Sequence, residues 1–315
     1  MQQPLWGLYG RASVAHADRV KASGANALWF HGFDADAFDA CARADLAPCV
    51  EVKTFRADFD KRPDLVPVGV DGKPIRYGRL VQGVCLSRAY FLEEIETSLG
   101  SGLDSYAPAG VWLDYLTYAG WFETPDPDLQ ESCFCVDCIE DFQQATGIDA
   151  GTPAEILGRH QVAWTDHKCR RIAALARRYA DLIRARRPGC LVGAYMCPWM
   201  PGEHGGALRR IFAQDYTLLA PAIDVFTPLI YAAKCGRPPS WGAEFLARAG
   251  TFVPAGSRVQ LILDALDFPA SVEAVAASPV PSWGLQMFGG ATLFEDEGKL
   301  AAWTRLVAAL RSSGR

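Results

Sequence analysis

The chain lacks a surplus of either charge: 31 lysines and arginines stand against 36 aspartates and glutamates, for a formal net charge of −5. Without a basic stripe nothing neutralises a run of phosphates, so nucleic acid is not an expected partner. Also missing is any uninterrupted apolar stretch near the ~18 residues of a membrane-crossing helix. The first residues, Met1-Gln-Gln-Pro-Leu-Trp-Gly7, carry no basic segment leading into a long apolar run of the secretory kind. No membrane partner is expected, and the expected location is the cytoplasm. Serine–glycine linkers, blocks of like charge and low-complexity tracts are missing as well. That leaves no seam, and residues 1–315 are expected to form one domain.

What is present is a rhythm. Half of the residues are hydrophobic and 21% are charged, the profile of a compact chain. Short apolar runs alternate with amphipathic stretches from end to end. The runs predict strands over residues 4–10, 25–33, 46–55, 110–118, 191–199, 223–231, 258–267 and 283–294. The stretches between predict helices over 12–23, 35–45, 88–99, 155–187, 206–219, 241–249, 270–277 and 299–311. Eight β/α units predict an α/β protein, a single (β/α)8 TIM barrel; an open doubly wound sheet of this width would be unusual. The segments after strands three (56–87) and four (119–152) are much longer than ordinary connections, and barrels elaborate the loops that follow their strands because the active site lies at that face.

Ten cysteines in a chain without a secretory leader read better as reduced thiols than as disulfides. Cys133, Cys135 and Cys138 crowd into six residues of the fourth βα loop, and Cys85 stands near the end of the third. Close-spaced thiolates make a poor core but a good clamp for zinc. Cys85 is the expected fourth ligand, with His160, His167, Cys169, Cys41 and Cys49 as alternatives. A closed four-thiolate site has no position for water, so the zinc would be structural, stapling two loops, and a hydrolase working through the metal itself is disfavoured.

Catalytic candidates lie at strand ends. Asp114 closes the run Gly110-Val-Trp-Leu-Asp-Tyr115, Asp264 closes the seventh strand with Asp267 three residues on, and Glu51 ends the third beside Lys53, where Glu-x-Lys is alternatively an internal ion pair. Glycoside hydrolysis needs two carboxyl groups across a cleft, one protonated and one ionised. Aromatic residues recur at the same ends: Trp6, Tyr9, Trp29, Trp112, Tyr115, Tyr118, Trp121, Tyr195, Trp199, Tyr231 and Phe288. Such rings suit the apolar faces of sugars, although core packing explains any single one. Tyr9, His31, Lys53, Tyr115, Trp121, Tyr195, Trp199, Tyr231 and Gln286 are the expected carbohydrate contacts, with His31 alternatively capping a helix. The expected function is a glycoside hydrolase acting on an oligo- or polysaccharide. The alternative is a barrel that binds a carbohydrate or another small ligand without turnover. The oligomeric state is open, a homo-oligomer included.

The run Val84-Cys-Leu-Ser-Arg-Ala-Tyr-Phe-Leu-Glu-Glu94, the strand around Asp114 and Cys133-Phe-Cys-Val-Asp-Cys-Ile-Glu-Asp-Phe142 together resemble the zinc-bearing barrel of the β-galactosidases of glycoside hydrolase family forty-two. They are similar too to a broader group of uncharacterised barrel glycosidases, in which a Gly-x-x-x-Asp-Tyr strand precedes a C-x-C-x-x-C loop and a Phe-x-x-x-x-Gly helix end, here Phe142 to Gly147. The resemblance implies that Cys85, Cys133, Cys135 and Cys138 are zinc ligands, that Asp114 is the acid/base and that Asp264 is the nucleophile. It departs where chemistry is decided: those galactosidases carry Asn-Glu after strand four and Glu after strand seven, whereas this chain has Leu113-Asp114-Tyr115 and Leu263-Asp264-Ala265. Galactosidase activity is therefore not implied.

Overall fold

The computed structural model describes residues 3–77 and 83–312; residues 78–82 of the long loop after the third strand lie outside it. The strands are β1 Leu5–Tyr9, β2 Ala27–His31, β3 Ala47–Lys53, β4 Gly110–Asp114, β5 Leu191–Met196, β6 Val225–Ile230, β7 Arg258–Val259, β8 Leu261–Asp264 and β9 Gly284–Phe288. All pair in parallel, β9 returns to β1, and a β5–β6 pairing closes the ring. β7 and β8 both pair with β6 and together form the seventh barrel strand, interrupted at Gln260. All eight predicted strands are present, and the fold is a closed (β/α)8 barrel.

Side chains alternate across a strand, so each strand feeds two cores. Leu8, Phe30, Val50, Val111, Leu113, Val192, Phe226, Leu263 and Met287 face outward into the layer under the helices. Leu5, Ala27, Trp29, Cys49, Trp112, Leu191, Val225 and Ile262 face inward and fill the barrel. The rings of Trp29 and Trp112 meet edge to face at 5.4 Å, and the Trp112 indole N–H donates to Thr227 Oγ1 at 2.8 Å. Gly193 leaves the space: a Cβ there would lie 2.4 Å from the Trp112 ring. Trp6, Trp29, Trp112 and Tyr118 are therefore packing residues and not the rim residues expected from their positions. A strand end presents only every second side chain to the mouth, and large rings are the best fillers of a barrel this wide.

Several expected helices are broken. The helix expected over 155–187 is Pro153–Arg159, opened by a Thr152/Glu155 capping box, followed after His160 by Gln161–Arg186. The stretch 12–23 holds Arg11–Val14 and Ala17–Ala22, and 206–219 holds Ala207–Arg210 and Tyr216–Leu219. The long fourth loop contains a helix of its own, Val136–Thr146, which Gly147 ends at φ 70, the left-handed conformation that glycine adopts without strain. Beneath this loop the fully buried Lys168 ammonium donates to Glu131 at 2.9 Å and to the Arg210 carbonyl at 2.6 Å, and Arg210 also reaches Glu131 at 3.0 Å. Among the described residues no helix is long and apolar enough to cross a membrane.

Candidate active site

The inward phase that places Trp29, Cys49 and Trp112 in the barrel interior places Tyr9, Glu51, Asp114 and Tyr195 two residues further on or at matching strand ends. They open into a cavity of about 250 Å³ at the C-terminal mouth, walled also by Lys53, Tyr115, Trp121, Phe122, Glu123, Tyr231 and Phe288. The parallel register sets His31 beside Glu51 and Lys53 beside Asp114. Buried Glu51 accepts the Tyr9 hydroxyl, stands 3.7 Å from His31 Nδ1, and is in hydrogen-bonding contact with the Asp114 carboxyl. Burial, and then the Glu51 charge, hold Asp114 well above the ordinary carboxylate range, so Asp114 keeps a proton. The Tyr115 N–H donates to Asp114 Oδ1 at 2.9 Å, and the Thr54 hydroxyl donates to the Asp114 carbonyl at 2.7 Å, which fixes the strand end. Burial and Glu51 also push Tyr9 far upward, so its hydroxyl remains a donor. Burial and Lys53 push His31 down, which keeps it neutral.

A second charged group faces the first. Lys234, in the loop after β6, lies 2.9 Å from Asp264 Oδ2 and 3.7 Å from Glu123 Oε2, with its ammonium over the Tyr231 and Phe288 rings at 4.2 and 4.4 Å. Asp264 Oδ1 accepts the Leu266 N–H at 2.9 Å and caps the turn Ala265–Asp267. Asp267 accepts the Ala233 N–H at 3.1 Å, which ties the Lys234 loop to the same turn. Burial pushes Glu123 up to about 7, against the pull of Lys234 and with the push of Asp264.

Of the expected residues, Tyr9, Glu51, Lys53, Asp114, Tyr115, Trp121, Tyr195 and Tyr231 line the cavity. Asp264 lies behind Lys234, with both oxygens engaged. Gln286 is fully buried beneath the cavity floor, its amide 2.8 Å from both the Tyr195 hydroxyl and the Gln260 side-chain oxygen. Trp199 is buried against His204, 4.0 Å between ring centres, and Phe212. His31 sits at the outer rim. Glu123 and Lys234 were not among the expected residues. Their only sequence signal is proximity, Glu123 two residues after Trp121 and Lys234 three after Tyr231.

The four thiols do converge. Cys85 Sγ lies 3.6 Å from Cys135 Sγ and 3.7 Å from Cys138 Sγ, and with Cys133 all four sulfurs fall within 4.8 Å of one another. A tetrahedron of sulfurs at about 2.3 Å from zinc has edges of roughly 3.8 Å, so the spacing fits a metal ion. The Val68 N–H points at Cys133 Sγ at 3.2 Å, and Arg88, paired with Asp137, borders the cluster, giving the donors and positive charge that an anionic thiolate site needs. Phe134, Phe142, Ile156 and Trp164 shield it.

No protein-family model matches the chain, and no curated protein matches it. Solved structures share its barrel. The PgaB (BpsB) glycoside hydrolase domain from Bordetella bronchiseptica superposes with a TM-score of 0.75 at 10% identity, over 96% of this chain and 98% of that one. The cold-adapted β-galactosidase from Rahnella sp. R3 gives 0.66 at 14% identity, over 99% of this chain and 58% of that one. The α-L-fucosidase isoenzyme 2 from Paenibacillus thiaminolyticus gives 0.60 at 12% identity, over 98% and 49%. The chain thus spans nearly all of the Bordetella domain and well under two thirds of the other two. At these identities the likeness is one of fold.

Proposed function

We propose that this barrel is a glycoside hydrolase in which Glu123 donates the proton to the leaving oxygen and the Asp114–Glu51 pair supplies the negative charge opposite it. The observation that carries this reading is the gathering of three carboxyl groups, two of them held above their ordinary range, around one aromatic-walled cavity at the barrel mouth. A general acid works best with a pKa near the working pH, and Glu123 at about 7 meets that requirement. A pair that keeps one proton, on Asp114, leaves one charge, which would stabilise the oxocarbenium character that develops as the C1–O bond breaks, until water adds at C1 and completes the hydrolysis. Trp121, Tyr231 and Phe288 would stack on the sugar ring, while Lys53, Tyr115 and Tyr195 would meet its hydroxyls. Asp264 takes a supporting place in this scheme, since its oxygens are committed to Leu266 and Lys234. That the like barrels named above include glycosidases is in keeping with it.

The cavity of about 250 Å³ suits a single sugar unit held at the reacting bond. We further propose a structural zinc on Cys85, Cys133, Cys135 and Cys138, none of which lines the cavity. Hydrolysis of a panel of aryl glycosides and saccharides, with Asp114→Asn as control, tests the function. Absence of turnover on every member, together with saccharide binding that Asp114→Asn leaves intact, would replace the hydrolase with a binding barrel.

A further inference from the structure

We propose that Lys234 is a positioning residue, clamped by Asp264 and by the Tyr231 and Phe288 rings, that holds Glu123 against the cavity wall and screens it from Asp264. The proposal deepens the hydrolase reading and rests on it for its link to turnover. Lys234 and Asp264 are not among the residues that wall the cavity, whereas Glu123, Tyr231 and Phe288 are, and of these only Glu123 has a charge for Lys234 to act on. The three groups come from three loops. Glu123 follows β4, Lys234 follows β6 and Asp264 ends β8, so the cation is the hub that joins them. Its place is over-determined. Two aromatic faces lie within 4.4 Å of the ammonium, and Asp267 holds the adjacent backbone at Ala233.

One cation faces two carboxyl groups at unequal range, 2.9 Å to Asp264 and 3.7 Å to Glu123. Asp264 takes most of the charge, and Glu123 receives a remainder that offsets only part of the effect of its burial. Among the described residues Tyr115, Tyr231 and Cys235 also sense Glu123, and burial holds all three protonated at neutral pH. The charge balance at Glu123 is therefore set by Lys234 and Asp264.

The arrangement requires two opposite responses. Lys234→Met removes the cation and leaves Glu123 facing Asp264 alone, so Glu123 should titrate at higher pH. Asp264→Asn keeps the Oδ1 that caps Leu266 but releases Lys234 to Glu123, which should then titrate at lower pH, each change being about one pH unit or more. Lys234→Arg retains the charge and should restore most of the wild-type position. The measurement is a ¹³C-NMR titration of the Glu123 carboxyl in the full chain, assigned with Glu123→Gln, alongside the pH profile of kcat/KM on an aryl glycoside that the wild type hydrolyses. Opposite displacements in the NMR titration support the proposal; no displacement, or displacement in the same direction, overturns it. If the NMR curves separate while the alkaline limb of kcat/KM stays in place, the positioning role stands and the assignment of Glu123 as the acid fails. Should Lys234→Met fail to fold, Asp264→Asn against Lys234→Arg decides: the first must lower the Glu123 titration and the second leave it near wild type.

Discussion

At the scale of single residues, the cavity depends on carboxyl groups whose surroundings differ although their chemistry is the same. Asp114 is buried against Glu51, so it keeps a proton; Asp264 instead meets the Lys234 ammonium and the Leu266 N–H. Asp114→Asn should therefore lower kcat/KM by about 10²- to 10⁴-fold with the fold unchanged, because Asn keeps the shape but cannot exchange the proton. Steady-state kinetics with circular dichroism as the fold control checks this, and a wild-type rate would remove Asp114 from the mechanism. Asp114 and Glu51 were readable from sequence because they end apolar runs, where a barrel must expose its inward residues. Glu123 and Lys234 were not, because they sit on loops, whose backbone has no period to tell which side chain turns inward. Asp264 and Gln286 share the inward phase but not the exposure: one is covered by Lys234 from another loop and the other by Tyr195 above it. No local pattern records such long-range cover.

At the scale of elements, the period-two alternation decided most of what could be read. Every strand was legible because outward Val, Leu and Phe alternate with inward Gly, Trp and polar residues between turn signals. Helix breaks were less so, since His160 interrupts 155–187 without a Gly or Pro to announce it. Of the helix Val136–Thr146 only the end was legible, as the Phe142 to Gly147 helix stop, while its start was hidden among the cysteines. In the barrel interior, Gly193→Ala would drive a methyl to 2.4 Å from the Trp112 ring, and it should destabilise the fold by about 1–3 kcal/mol in urea unfolding. Beneath the fourth loop, Glu131→Gln leaves the buried Lys168 ammonium without its counter-ion and should cost about 3 kcal/mol or more, where a surface pair would cost under about 1. The thiol cluster binds the third loop to the fourth. Protein prepared without chelators should carry about one zinc per chain by elemental analysis, and Cys135→Ser should speed amide exchange in both loops while leaving β1 to β9 protected. Metal-free protein with unchanged exchange would dismiss the zinc.

At the scale of the whole molecule, the acid that the proposed chemistry requires is also a burden on the fold. Glu123 titrates at about 7 in the folded chain against an ordinary 4.5, so between these values the native state binds more protons than the unfolded chain does. Stability must then fall as pH rises through that window, with the full loss present above about 7 and none of it below about 4.5. Glu123→Gln removes the burden while leaving the Lys234–Asp264 pair in place. Its unfolding free energy should exceed that of the wild type by about 2 to 3 kcal/mol at pH 8, with the difference shrinking toward zero near pH 4.5. The same substitution should abolish the alkaline limb of kcat/KM together with most of the activity, since the amide has no proton to give. Paired denaturant unfolding curves at pH 4.5 and pH 8 test the linkage without any substrate. A variant no more stable than wild type at pH 8 would mean that the surroundings do not raise Glu123 above its ordinary range, and the acid would have to be sought in the Asp114–Glu51 pair.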